Sequence, residues 1–451
     1  MSDEWVGEGN VALFTDLYQL TMLQAYFREE MTDEAVFDLF VRRLGDRNYL
    51  LACGLDTILH YLETLRFSDE AIAYIGSLNR FDAAFLEYLA EFRFTGSVFA
   101  IREGTPVFPD EPLLEVVAPI GEAQLIETFL LNQITFQTNA ATKASRVRQA
   151  AGERVVADFG MRRMHGADAA IRAARAFHVA GLDSTSNVLA GQLLGIPVTG
   201  TMAHSYIEAH DAELAAFRAF SSIYPETILL VDTYDTLQGV RKIIEMAKDS
   251  GAAFNVSGIR LDSGDIGQLA RDSRRILDEG GLVDVEIFAS GGLDEHDIEA
   301  LIGSGAPIDG FGVGTRMGTI ADQPYLDSVY KLSSYAGQPT MKLSSEKSNL
   351  PGRKQVFRKF EGGEAVGDVI AVHGEEADGE PLLEQVMEGG RLTAAGRCTL
   401  HDAREHARRS LDGLPLRFRA IQKAEPAYDV RLSARLEHRL DETRSRLENR
   451  Q

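Results

Sequence analysis

The stretch Ile196-Pro197-Val198-Thr199-Gly200-Thr201-Met202-Ala203-His204-Ser205 joins a short run of strand formers to a Gly/Thr/Ser-rich turn that carries a histidine. An imidazole so placed stands at the carboxyl end of a strand, where the loops of α/β proteins converge on one mouth. His204 is therefore a candidate nucleophile or general base, against the plainer alternative of a turn or cap residue. The same texture recurs on both sides of it. Between about residues 154 and 317, the apolar runs Val155-Val156-Ala157, Ile228-Leu229-Leu230-Val231, Val256-Ser257-Gly258-Ile259, Val285-Glu286-Ile287-Phe288 and Gly310-Phe311-Gly312-Val313 alternate with helical patterns. Such repeated βα units, largely without hairpin signals, predict a parallel sheet, closed as a barrel or doubly wound. The barrel is preferred, in incomplete form.

The flanks read differently. A helix over residues 15–30, with Leu17, Leu20, Met22, Leu23 and Phe27 at helical spacing, leads into a strand over 35–41. Helices over 57–65 and 81–88, strands over 97–101 and 113–117 and a long helix over 123–150 make this first third α+β. Strand patterns return over 329–335 and 355–360, an acidic loop interrupts at 374–379, and two charged helices end the chain. The last, over 432–449, reads as a solvated surface helix.

With 451 residues, the chain fits two or three domains at ~150 residues each. A formal charge of −22 disfavours nucleic acid or an anionic membrane as partner, so any phosphate ligand must be held locally. Cys53 and Cys398 are too few and too far apart for a disulfide scaffold or a cysteine-rich zinc site. The start Met1-Ser2-Asp3-Glu4-Trp5 is acidic, and no apolar run reaches the ~18 residues of a membrane span. A cytoplasmic, soluble protein is expected.

Two late strands end in glycine-rich loops, Ala289-Ser290-Gly291-Gly292-Leu293-Asp294 and Gly310-Phe311-Gly312-Val313-Gly314-Thr315. Either alone is a tight turn; as a pair they favour a phosphate cradle, because glycine lets backbone N–H groups approach phosphate oxygens. Carboxylates cluster at other strand ends, in Val231-Asp232-Thr233-Tyr234-Asp235-Thr236 and in Arg260-Leu261-Asp262-Ser263-Gly264-Asp265. Asp232 and Asp262 are candidates to hold Mg²⁺, bind ribose hydroxyls or orient a histidine, whereas Asp235 and Asp265 suit helix caps at least as well. Asp158-Phe159-Gly160-Met161-Arg162-Arg163 delivers an aromatic face and a guanidinium to the same mouth, a combination that suits a planar aromatic acid. The adjacent Arg42 and Arg43 read more readily as solvated charge.

Together these blocks closely resemble the nicotinate phosphoribosyltransferase family. The resemblance begins at Leu13-Phe14-Thr15-Asp16-Leu17-Tyr18-Gln19-Leu20-Thr21-Met22 and passes through Phe159 to Arg163, Asp183-Ser184-Thr185-Ser186-Asn187-Val188-Leu189-Ala190-Gly191 and Gly200 to Ser205. It continues through both acidic segments and the second glycine loop to Lys342-Leu343-Ser344 and Pro351-Gly352-Arg353-Lys354-Gln355-Val356. Nothing is carried over after about Arg358. Met164-His165 departs from the family, which often has a small residue after the double arginine.

Members join nicotinate to 5-phosphoribosyl 1-diphosphate, giving nicotinate mononucleotide and diphosphate, with ATP hydrolysis coupled through a phosphorylated histidine. This ATP-dependent ligase reaction is the first step of NAD salvage from nicotinate. The resemblance implies an α/β fold, with an irregular, incomplete α/β barrel over 146–328 beside an open-faced α+β sandwich formed by both chain ends. Residues 1–145 would supply most of the sandwich, and 329–451 would return to it and add helices. His204 would be the phosphohistidine, with Asp232 fixing its tautomer and Asp262 binding ribose hydroxyls or Mg²⁺, directly or through water. Tyr18, Phe159, Arg162, Thr201 and Arg260 would surround nicotinate, and Gly291, Gly292, Gly314 and Thr315 would hold the 5-phosphate. ATP and Mg²⁺ are implied, as is a homodimer in which the sandwich of one chain closes the barrel of its partner, bringing Tyr18 and Arg42 to the partner's site. A nicotinamide-preferring enzyme, a quinolinate phosphoribosyltransferase and a non-catalytic phosphoribosyl diphosphate sensor are the alternatives. An aspartate facing the amide would favour nicotinamide; around Ser184 to Asn187 the chain offers hydroxyls, with Asp183 alone open to that role.

Overall fold

A computed structural model describes residues 5–344 and 349–449, so the acidic start Met1-Ser2-Asp3-Glu4 lies outside the described residues. The chain divides into two compact units, one of residues up to Thr142 together with those from Tyr325 onward, the other Lys143–Pro324. The first boundary falls inside the helix Glu127–Ala151.

In the first unit a seven-stranded antiparallel sheet runs in the order Gln338–Pro339, Ser328–Tyr335, Glu34–Val41, Pro112–Pro119, Ser97–Ile101, Leu383–Glu388 and Arg391–Leu392. Glu34–Val41 sits near its centre and is buried at every position after the first, as its density of β-branched and aromatic residues demands. Phe37 stacks on Tyr330 of the neighbouring strand at 4.8 Å, a cross-strand aromatic pair that fixes the register. The same strand buries Asp38 directly opposite Glu115, and two facing carboxylates are tolerated only because cations reach both. Lys354 Nζ lies 2.7 Å from Asp38 Oδ2, and Arg353 Nε donates to Glu115 Oε1 at 2.8 Å. Burial still pushes the Asp38 carboxyl up to about 7, against the pull of Lys354.

Lys354–Glu361 belongs to a second sheet, ordered Glu380–Pro381, Lys354–Glu361, Glu364–Val372 and Val430–Leu432. The strand Glu364–Val372 was not legible in the sequence, since Gly and charged residues interrupt its alternation. The final helix, Ala434–Glu448, buries only Leu436 and Thr443 and is otherwise the solvated helix expected.

The second unit alternates strands and helices around a six-stranded parallel sheet, curled as a half-barrel, in the order Ser184–Thr185, Val155–Asp158, Gly310–Val313, Glu286–Ala289, Gly258–Leu261 and Ile228–Leu230. Its helices are amphipathic. Ile266–Glu279 turns Ile266, Ala270, Ser273, Ile276 and Leu277 inward at helical spacing, and Asp265 caps it by accepting from the Gln268 amide at 3.0 Å. Asp235 caps Thr236–Ser250 in the same way.

Two expectations need correction. Residues 196–198 form no strand: Val198 makes a single bridge to Thr185, and the strand at that edge is Ser184–Thr185. A proline and an edge position leave too little of the ladder to extend. The helix expected over 123–150 is two helices, Ile120–Leu125 and Glu127–Ala151, broken at Ile126. Among the described residues no helix is long and apolar enough to cross a membrane.

His406, in the helix Leu400–Asp412 of the first unit, provides a test of the packing there. Its Nε2 lies 2.9 Å from Thr105 Oγ1 and 3.2 Å from Ser410 Oγ, and burial, reinforced by Arg102, Arg409 and Arg358, pushes its pKa down to about 4. The unfolded chain takes up this proton more readily, so the site's stabilisation is full above the ordinary histidine value and is lost as pH falls towards 4. Urea denaturation at stepped pH should show a stability slope over that window worth on the order of 2–3 kcal/mol, flattened in His406→Gln.

Candidate active site

At the carboxyl ends of the parallel strands lies a cleft of about 520 Å³, built entirely from the second unit. All the site residues expected from the sequence line it except Tyr18 and Asp232. Tyr18 belongs to the first unit, where it is 48% exposed and its hydroxyl stands 3.4 Å from Glu127 Oε2.

His204 opens the short helix His204–Glu208. Its Nδ1 is 3.1 Å from Thr233 Oγ1, and its Nε2 is 3.9 Å from Asp262 Oδ2. The ring is thus held by a hydroxyl on one nitrogen and faces a carboxylate with the other. Asp232 does not orient it, contrary to expectation. Its Oδ2 instead accepts from the Asp262 amide at 2.9 Å and from Ser263 Oγ at 2.8 Å, because the side chain turns along the loop after the neighbouring strand. Asp232 Oδ1 is buried and has no hydrogen-bond partner. Thr233, which takes the place expected of Asp232, is the next residue in sequence. A hydroxyl one position beyond a strand-end carboxylate was the available signal.

Asp262 is the hub of the site. Besides its amide bond to Asp232 and its approach to His204, its Oδ1 accepts from Ser290 Oγ at 2.5 Å. Ser290 opens the first glycine loop, and the next residue, Gly291, has φ +95°. A Cβ at Gly291 would stand 1.9 Å from the Asp262 carbonyl oxygen, so only glycine lets the loop pass this close.

Across the cleft, the buried Asp158 fixes the turn that presents Phe159 and Arg162. Its Oδ1 accepts from the Gly160 amide and its Oδ2 from Thr185 Oγ1, both at 2.8 Å. Gly312 has a Cβ position only 2.4 Å from the Phe159 ring, and Gly310 is likewise crowded by Phe288, so the first two glycines of the second glycine-rich segment make room for aromatic rings. Gly314 and Thr315 do face the cleft. Arg260 Nη1 donates to Thr201 Oγ1 at 2.8 Å and its Nη2 to the Met202 carbonyl at 3.0 Å, with the guanidinium 6.0 Å from the Phe159 ring centre. Burial pulls Arg260 below its ordinary pKa, Asp262 and Asp232 oppose the shift, and Arg162 reinforces it. Two guanidinium groups and an aromatic face therefore share one side of the cleft, as a planar carboxylate requires.

Three further observations complete the geometry. Arg163, of the double arginine, and Ser186, among the hydroxyls of Ser184 to Asn187, also line the cleft. Asp183 is engaged elsewhere, accepting from the Val156 amide at 2.9 Å and from Arg148 Nη1 at 3.1 Å. Among the described residues no group of three or more His, Cys, Asp or Glu side chains is placed to hold a metal.

A half-barrel of parallel strands whose late loops are glycine-rich, with a histidine and a carboxylate at their mouth, is the arrangement of a phosphoribosyltransferase. Residues 13–135 match the family model of the nicotinate phosphoribosyltransferase (NAPRTase) N-terminal domain, and residues 155–348 match that of the NAPRTase family. The Mycobacterium tuberculosis protein called nicotinate phosphoribosyltransferase pncB2 is 50% identical over 426 residues, covering 94% of this chain and 92% of its own. The Bacillus subtilis nicotinate phosphoribosyltransferase is 40% identical over 387 residues, 83% of this chain and 79% of its own. The crystal structure of human nicotinic acid phosphoribosyltransferase superposes with a TM-score of 0.83 at 29% identity, covering 95% of this chain and 99% of that one. The chain belongs to the nicotinate phosphoribosyltransferase family.

Because the Gly291 contact involves backbone on both sides, Gly291→Ala cannot be accommodated by a rotamer change. Its activity should fall at least tenfold, roughly the rate cost of a 1.4 kcal/mol rise in barrier, while the circular dichroism spectrum stays native. Wild-type activity in the alanine variant would remove the close approach from the account of the site.

Proposed function

We propose that this chain joins nicotinate to 5-phosphoribosyl 1-diphosphate, with ATP hydrolysed to ADP and phosphate through phosphorylation of His204. The observation that carries the reading is the convergence in one cleft of His204, Asp262, the Arg162 and Arg260 pair beside Phe159, and both glycine loops. In this reading the two units are an irregular α/β barrel and an open-faced sandwich made from both chain ends, and the protein works in the cytoplasm.

The pyridine nitrogen of nicotinate attacks the anomeric carbon, and the bond to the diphosphate oxygen breaks with its electron pair leaving on diphosphate. Positive charge develops on the ribose and negative charge on the leaving group, so fixed charges of both signs stabilise the transition state. Arg162 and Arg260 hold the carboxylate, Phe159 stacks on the ring and Thr201 steadies Arg260. The backbone of Gly291, Gly292, Gly314 and Thr315 takes the 5-phosphate. Asp262 binds the ribose hydroxyls.

The donor set also suits Mg²⁺ brought in with the diphosphate: Asp262 would hold it directly or through water, and the orphaned Asp232 Oδ1 is a buried oxygen in want of a partner. When bound, the ion neutralises charge on the diphosphate. In the coupled step a ring nitrogen of His204 attacks the γ-phosphorus of ATP, ADP leaves, and water later releases phosphate. The engagement of Asp183 by Arg148 and backbone supports nicotinate over nicotinamide, since it removes the one carboxylate in that segment able to face an amide.

Assays with labelled nicotinate, nicotinamide and quinolinate, each with and without ATP, test the reading; product from nicotinate alone, faster with ATP, is expected. His204→Ala should abolish phosphoenzyme and ATP hydrolysis while keeping a weak ATP-independent transfer, because the glycine loops and nicotinate pocket are untouched. Acid-labile label from γ-labelled ATP on that variant would overturn the role of His204.

We also propose a homodimer with shared sites, in which Tyr18, together with Arg42 of the same unit, completes the cleft of the partner subunit. Supporting it, Phe14, Leu17 and Tyr18 lie exposed together at the start of the helix Leu17–Arg28. Co-expressing Tyr18→Ala with His204→Ala should restore ATP-coupled activity in mixed dimers, which carry one intact site. No recovery, or a monomer by light scattering, would refute the arrangement.

A further inference from the structure

The two glycine loops are tied to each other by side chains outside the cleft. Arg316 follows Thr315 on the second loop, and its Nη1 stands 3.0 Å from Asp294 Oδ2 and 2.8 Å from Asp297 Oδ2. These aspartates form the capping box that starts the helix Glu295–Gly303 directly after the first loop. Asp294 Oδ1 accepts from the Asp297 amide at 3.1 Å, and Asp297 Oδ2 from the Asp294 amide at 3.1 Å. One guanidinium nitrogen thus bridges both carboxylates of the box. Against the effect of burial, the Asp297 amide and Arg316 hold the Asp294 carboxyl below its ordinary value.

A second tie lies beneath. Lys143 Nζ is 2.6 Å from Glu295 Oε2, one residue past the first loop, and 2.8 Å from Asp322 Oδ1, downstream of the second. Arg146 Nε reaches the other Glu295 oxygen at 2.9 Å. Glu295 is fully buried and Lys143 nearly so, so this tie is screened from solvent. Thr315 lines the cleft, whereas Arg316 does not.

We propose that Arg316 is a positioning residue: with Lys143 beneath it, it fixes the spacing of the two glycine loops and thereby sets the affinity for the 5-phosphate of phosphoribosyl diphosphate without touching it. This inference rests on the function proposed above. Isolated surface ion pairs contribute little, but a bridge to two carboxylates that also cap a helix is coupled to backbone position.

Steady-state kinetics and equilibrium dialysis of phosphoribosyl diphosphate on Arg316→Ala, Arg316→Lys and Asp297→Asn decide it. Arg316→Ala should raise the KM and Kd for phosphoribosyl diphosphate about tenfold, ~1.4 kcal/mol, with the nicotinate KM within about twofold of wild type. Arg316→Lys should recover most of the loss, since an ammonium can still bridge the two carboxylates. Asp297→Asn should shift the same constants in the same direction by less. Unchanged phosphoribosyl diphosphate affinity in Arg316→Ala, or an equal rise for both substrates, overturns the proposal. So does a selective rise in Arg316→Ala with Asp297→Asn at wild-type values, which would mark Arg316 as a direct ligand. If Arg316→Ala does not fold, the other two variants decide on the same criteria. An inactive wild type would sink the proposed function and this inference together, whereas an active wild type with unshifted variants sinks the inference alone.

Discussion

The cleft depends on one continuous polar chain across three neighbouring strand ends. Asp232, after Ile228–Leu230, accepts from the Asp262 amide; Asp262, after Gly258–Leu261, accepts from Ser290; and Ser290 follows Glu286–Ala289. Parallel strands fix only the spacing of their ends, not the direction of the loops that leave them. The chain supplies that direction, and it closes only because Gly291 carries no Cβ, which would collide with the Asp262 carbonyl. A single carboxylate therefore serves the first glycine loop with one oxygen and faces His204 with the other.

The electrostatics follow from the charge of −22. On the proposed function, a protein so acidic would repel a substrate bearing a phosphate and a diphosphate, and long-range steering would work against binding. Recognition must be local, which is why cations concentrate in the cleft as Arg162, Arg163 and Arg260 while the loops offer uncharged backbone donors. Arg260 is the most constrained of them. Burial disfavours its charge, and Asp262 and Asp232 oppose that shift, so the strand-end carboxylates favour the cationic form of the neighbouring guanidinium.

Much of this was legible in the sequence, and the failures have physical causes. The strand Gly310–Val313 was read at its observed bounds and Ile228–Leu230 within one residue, because buried parallel strands are short continuous apolar runs. Gly258–Leu261 was placed two residues early, since Val256 is apolar yet precedes the ladder. Ser184–Thr185 was missed: two polar residues carry no hydrophobic period. At the site, the cleft-lining residues came from motif positions, whereas the choice between Asp232 and Thr233 as the partner of His204 turned on side-chain direction, which sequence spacing does not encode. The same limit hid Ser290, whose role depends on where the loop before Gly291 turns.

Placing His204 within 3.9 Å of a carboxylate sets a condition on any phosphoenzyme. A phosphoryl group adds nearly two negative charges beside Asp262, and like charges so close are costly unless a cation stands between or against them. In the proposed reaction Arg260, already bonded to Thr201 and the Met202 carbonyl, would turn to the nicotinate carboxylate, so the compensating charge would have to come from Mg²⁺ brought in with the diphosphate. On the proposed function this makes the coupling reciprocal: if the phosphorylated enzyme binds phosphoribosyl diphosphate more tightly, the bound substrate must favour the phosphorylated state by the same factor. On that proposal ATP would be consumed in step with substrate occupancy, because the empty phosphoenzyme would be the state in which the charge beside Asp262 goes unbalanced.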